Sequence, residues 1–139
     1  ARLGRFTGRR VILVDDRLAD PAFGSAMSSG LLGAEVELLS SVEAAMSLVP
    51  AGVTPTMSLV TRNFQRDVAT LQVVKEHHDI TIGMMGSRRR IATVLDTLSA
   101  QGWNDAELAR IKAPIGLDIG AVSPEEIAVS IMAEMIASG

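Results

Sequence analysis

Ile80-Thr81-Ile82-Gly83-Met84-Met85-Gly86-Ser87-Arg88-Arg89-Arg90 decides how this chain reads. Six residues of apolar, β-favouring character run into Gly86-Ser87, and Ile91, Val94, Leu95 and Leu98 then recur at helical spacing. The spacing predicts a buried strand, a tight turn and a helix beginning near Ser87 and ended by Gly102. A glycine-serine turn at a helix start aims backbone N–H groups outward at the positive end of the helix dipole. Three guanidinium groups in that first turn oppose the dipole unless an anion joins them. The alternative for a single basic run is a solvated, solubilising face.

The same unit recurs along the chain. Upstream, Arg10-Val11-Ile12-Leu13-Val14 is an apolar run that stops at Asp15-Asp16-Arg17, as a buried parallel strand stops at a functional edge. Residues 18–33 mix Gly, Ser, Pro and Ala without clear periodicity, and Glu35 to Leu39 alternates like an edge strand. Ser40 with Glu43 suggests a capped short helix through Val49, and residues 56–60 form a third strand followed by a helix with Val68, Leu71 and Val74 inward. Downstream, residues 103–111 hold a short helical segment. Ala113-Pro114-Ile115-Gly116-Leu117-Asp118-Ile119-Gly120 then leads to Ser123-Pro124-Glu125-Glu126, a capping box opening a helix with an Ile127, Ile131, Met132, Met135, Ile136 stripe. Strands alternating with helices imply an α/β fold of the Rossmann-like, doubly wound kind with a mostly parallel sheet, and the 139 residues fit one such domain.

Composition narrows the function. A hydrophobic share of 47% with positive mean hydropathy implies a folded core, and no apolar run is long enough to span a bilayer. A net charge of −3, three Phe and one Trp disfavour nucleic acid as a partner. With no cysteine there is no disulfide or thiolate chemistry, which fits a cytoplasmic location, and no export signal precedes the first strand. His77 and His78 lack metal-ligand spacing, no serine elbow occurs, and no nucleophile has an evident histidine partner, so no catalytic or metal residue is assigned.

In a doubly wound sheet ligands bind beyond the carboxyl ends of the strands. The candidates there are Asp15, Asp16 and Arg17 after the first strand, Thr61 and Arg62 after the third, Gly86, Ser87, Arg88 and Arg89 after the fourth, and Gly116 and Asp118 on the later loop. An acid after the first strand suits a ribose hydroxyl pair, or it caps its own turn. Arg62 suits phosphate or carboxylate, or it pairs with Asp67 for structure. Asp118 either faces the same edge or holds its loop. The glycine-rich turn of a dinucleotide fold is absent before Arg10, and Ala1 to Phe6 reads as the tail of a helix that begins outside this sequence.

These residues together resemble the XdhC/CoxI family of accessory proteins to xanthine dehydrogenase and related molybdenum hydroxylases, in their C-terminal Rossmann-like domain. Val14-Asp15-Asp16-Arg17 is similar to the family's acidic turn, Thr61-Arg62 through Asp67 to its central element, and residues 83–90 and 113–130 to its most specific blocks. Phe64 stands where the family commonly has a histidine. The resemblance implies a maturation factor rather than a catalyst, one that binds molybdenum cofactor and serves a hydroxylase apo-enzyme; an NAD(P)-like nucleotide is the other ligand that the strand-end residues admit. It also implies that the sheet is incomplete at its N-terminus. The strand that would lie between those at Val11 and Met57 is missing, which exposes two edges and points to a homo-oligomer or a complementing chain. A nicotinamide-dependent oxidoreductase using Asp15 or Asp16, and a truncated paralogue acting only through protein contacts, are the rival readings.

Overall fold

Short β-branched and aliphatic runs, each followed by a capped amphipathic segment, fold into alternating strands and helices in a computed structural model that describes residues 1–138. The chain divides into two compact units, one spanning Ala1–Ala51 and one from Gly52 onward.

The first unit contains α1 (Arg2–Phe6), β1 (Ile12–Val14), a 3₁₀ turn (Asp16–Ala19), α2 (Pro21–Gly30), β2 (Glu37–Leu39) and α3 (Val42–Ser47). β1 and β2 pair in parallel, with Leu13 opposite Leu38. The non-periodic stretch is therefore partly helical. Asp20 caps α2 by accepting from the Ala22 N–H, and Pro21 occupies its first position. Ala, Gly and Ser give α2 too little hydropathy contrast for a period to show. The cap of α3 is Ser41, not Ser40, since the Ser41 hydroxyl accepts from the Ala44 N–H. The core here is thin: Leu31 and Gly4 are buried, whereas Val11, Ile12 and Leu13 are only half-buried.

The second unit contains β3 (Thr56–Leu59), α4 (Phe64–Val74), β4 (Thr81–Met84), α5 (Arg88–Ala100), α6 (Asp105–Leu108), β5 (Ile111–Lys112) and α7 (Pro124–Ala137). Its sheet has the order β3-β4-β5, all parallel, with Leu59 opposite Met84 and Ile82 opposite Ile111. The short helix expected within residues 103–111 is α6, and the two-residue β5 begins at the last residue of that segment; its pairing with β4, not its own pattern, defines it. Val68, Leu71 and Val74 of α4 and Ile91, Val94 and Leu98 of α5 fall on single helical faces and are buried with Ile82 and Met84. The stripe on α7 is narrower than its sequence suggests, because Ile131 is buried while Ile136 is exposed, and Ser130 and Glu134 share the inward face.

Trp103 closes one end of this core. It is 3% exposed, its indole N–H donates to Gln72 at 3.3 Å, and the Lys75 ammonium lies 5.7 Å from its ring centroid. Lys75 also pairs with Glu107 of α6, and Arg110 donates to the Lys75 and His77 carbonyls, tying the start of β5 to the end of α4. Among the described residues no helix is long and apolar enough to cross a membrane, and no group of His, Asp and Glu could hold a metal ion.

Candidate functional site

Parallel pairing brings the carboxyl ends of β3 and β4 side by side. The Met85 N–H donates to the Leu59 carbonyl at 2.9 Å, so the segments that leave the two strands, Thr61-Arg62-Asn63 and Gly86-Ser87-Arg88, start as neighbours. Each becomes a helix cap: the Asn63 side chain accepts from the Arg66 N–H at 3.0 Å, and the Ser87 hydroxyl accepts from the Arg90 N–H at 3.2 Å. The first intrahelical bond of α5 runs from the Ile91 N–H to the Ser87 carbonyl. The amides of Arg88 and Arg89 therefore have no partner among the described residues, as the first turn of any helix dictates. Arg62, Arg88 and Arg89 are exposed, and none of their guanidinium groups makes a hydrogen bond or ion pair among those residues.

Asp67 accounts for the remaining arginine. This carboxylate, 1% exposed, accepts from the Thr61 hydroxyl at 2.9 Å and from Arg90 Nη2 at 2.6 Å. Its cation is thus Arg90 and not Arg62. Thr61 in turn accepts from the Asn63 N–H at 2.9 Å, which fixes the turn that carries Arg62. Gly86 has φ 153°, and a Cβ there would lie 3.4 Å from Cδ of Arg90, so the arginine stem packs against the turn. The spacing of Asp67, Leu71 and Val74 puts the acid on the buried stripe of α4, and that was the available sequence signal for its role.

The loop after β5 crosses the same end of the sheet. The Ile115 N–H donates to the Met84 carbonyl at 2.9 Å, and Gly83 leaves the space that Ile115 fills. The Gly116 N–H donates to Glu134 at 2.9 Å, the Lys112 ammonium pairs with the same carboxylate at 2.7 Å, and the Ser130 hydroxyl donates to the Leu117 carbonyl. Burial pushes the Glu134 carboxyl up, but Lys112 and the Gly116 amide outweigh it and hold the group below the usual carboxylate range. Gly116 thus contributes shape, its amide already being engaged. The loop is held by Glu134 and Ser130; Asp118 is exposed and makes no hydrogen bond among the described residues. Ser130 and Glu134, four residues apart within an apolar run, were the sequence's sign of this anchor.

Asp15, Asp16 and Arg17 lie in the Ala1–Ala51 unit. Asp15 caps the 3₁₀ turn, accepting from the Arg17 N–H at 2.9 Å, from its Nε at 3.0 Å and from its Nη2 at 2.6 Å. Arg17 also lies 4.4 Å over the Phe23 ring. The hydrogen bond to Asp15 raises the Arg17 pKa. Both Asp15 oxygens are thus engaged by its own turn. Asp16 is exposed.

Residues 1–135 match the family model of the XdhC Rossmann domain. The chain belongs to the XdhC Rossmann-domain family. This XdhC-type domain is 40% identical over 55 residues to the uncharacterized protein YqeB of Escherichia coli, covering 40% of the chain and 10% of YqeB. It is 30% identical over 77 residues to the molybdenum cofactor insertion chaperone PaoD of the same organism, covering 55% of the chain and 24% of PaoD. Its fold is similar, with a TM-score of 0.66 at 23% identity, to a crystal structure of a xanthine dehydrogenase from Bacillus halodurans, across 96% of this chain and 36% of that one. The XdhC-type domain therefore spans a minor part of each of these proteins.

Proposed function

We propose that this XdhC-type domain acts in molybdenum-cofactor maturation in the cytoplasm, as a binding element rather than a catalyst, and that a molybdenum hydroxylase apo-enzyme is its partner. The observation that carries the reading is the set of three guanidiniums without a partner among the described residues, Arg62, Arg88 and Arg89, beside the amides at the start of α5 that are likewise unengaged there. The donor set fits an anion: Asp67, the buried acid that joins the two turns, is already neutralised by Arg90, so it does not occupy Arg62, Arg88 or Arg89. The phosphate of an anionic pterin, or of the nucleotide that extends it, would be held by Arg62 and Arg88 together with amides of the Gly86-Ser87-Arg88-Arg89 turn. Bound there, the cofactor would supply the metal-ligating dithiolene that the hydroxylase needs, while this chain's residues hold and orient its anionic end. Similarity to PaoD supports the reading.

β3 pairs only with β4 among the described residues, which supports pairing of its open edge with another segment or a second copy. The engagement of Asp15 by Arg17 weighs against an oxidoreductase that uses that acid on a ribose.

The test is thermal unfolding with inorganic pyrophosphate, NAD, a cytidine dinucleotide and molybdenum cofactor. A probe present at about a hundred times its Kd stabilises the folded state by about 2.7 kcal/mol, a rise of several degrees. Arg62→Ala with Arg88→Ala is expected to leave the ligand-free midpoint unchanged and to abolish the rise. An equal rise in that variant would place the ligand elsewhere. No rise with any probe, with retained binding of the apo-enzyme, would favour a module that works through protein contacts alone.

A further inference from the structure

We propose that the buried Asp67–Arg90 ion pair is a positioning clasp for the anion site, holding the Thr61-Arg62-Asn63 turn and the Gly86-Ser87-Arg88 turn in register without touching the ligand. The inference rests on the anion-binding reading above. Three segments meet at one carboxylate: the turn after β3 through Thr61, α4 through Asp67 itself, and the first turn of α5 through Arg90. The aliphatic stem of Arg90 also packs on the glycine that begins the second turn.

Stability alone is a poor reason for such a pair. Desolvating two charges costs most of what their attraction returns, and apolar replacement of both partners is often neutral or stabilising. This pair is moreover incompletely satisfied, since Arg90 Nε is buried without a partner among the described residues. What a 2.6 Å charge-assisted bond does supply is direction. By engaging Arg90, Asp67 leaves Arg62, five residues away, exposed to solvent together with Arg88. The two turns then present their cations from fixed positions, so an anion is met without first ordering either loop.

Asp67→Asn with Arg90→Met removes one negative and one positive charge, so any change in anion affinity cannot come from net charge. Three readouts are needed. The unfolding midpoint is expected to stay within a few degrees of the parent, following the behaviour of other buried pairs. Amide hydrogen exchange at Asn63, Arg66 and residue 90, whose N–H groups are held by Thr61, Asn63 and Ser87, is expected to accelerate about tenfold while amides in β4 keep their rates. Affinity for inorganic pyrophosphate is expected to fall about tenfold. Unchanged exchange at those three amides overturns the clasp, as does undiminished pyrophosphate affinity. If the parent itself fails to bind pyrophosphate, the anion-binding reading falls while the exchange rates still decide the clasp. Should the paired variant not fold, Arg90→Lys keeps the charge but loses the guanidinium fork; exchange identical to the parent in that variant also overturns the proposal.

Discussion

Gly83 and Glu134 show how single residues govern the edge where the candidate site lies. Glycine in a strand interior is unfavourable, yet an added Cβ at residue 83 would sit 2.3 Å from Cδ1 of Ile115, so the loop after β5 seats on β4 only because that position is bare. Gly83→Ala is expected to destabilise by about 1–3 kcal/mol through overpacking, read as a lower urea midpoint, and Ile115→Val in the same chain should recover part of the loss. A midpoint equal to the parent would mean that Ile115 is not seated as described. Glu134 adds a pH dependence. Its carboxyl is depressed in the folded state from an ordinary value of 4.5, so the unfolded chain binds more protons on the acid side. The stabilisation is complete above the unfolded pKa and disappears as pH falls through the lower, folded one. Glu134→Gln is therefore expected to lower the unfolding temperature at neutral pH and to flatten its decline below about pH 4.5. An acid limb parallel to the parent's would contradict the anchor.

At the scale of elements, two helix starts were legible because their signals are local. Ser123 and Glu126 exchange both bonds of a capping box around Pro124, as their spacing implies. Ser123→Ala should cost about 1 kcal/mol, and an unchanged unfolding midpoint would tell against that helix start. Ser87 and the helix it opens were legible for the same reason, since the glycine-serine turn and the Ile91, Val94, Leu98 face lie within a dozen residues. Features that depend on distant partners were not. β5 exists because Ile82 and Gly83 offer it a parallel edge, and two residues carry no pattern of their own. A structural pair between Arg62 and Asp67 was one of two readings the sequence left open; sheet pairing instead brings Arg90 to that acid from 23 residues away. The shift from Ser40 to Ser41 at the start of α3 has a smaller cause: two adjacent serines can each cap, and only the geometry of the following turn selects one.

Over the whole molecule, stability is unevenly provisioned. The unit from Gly52 onward buries Leu71, Ile82, Met84, Val94 and Leu98 almost completely, whereas the Ala1–Ala51 unit rests on Leu31, Gly4 and two strands of three residues each. Exchange protection follows local burial, so peptides from residues 1–51 are expected to take up deuterium well before those covering α4, β4 and α5. Equal protection in both would show that the first unit is stabilised by something beyond its own contacts. The location of Trp103 bears on any optical measurement of this uneven stability. The chain has one tryptophan and no tyrosine, and that indole sits dry beneath Lys75 and against Gln72 in the second unit. Intrinsic emission is accordingly a built-in reporter of the unit that carries Arg62 and Arg88, with no label required.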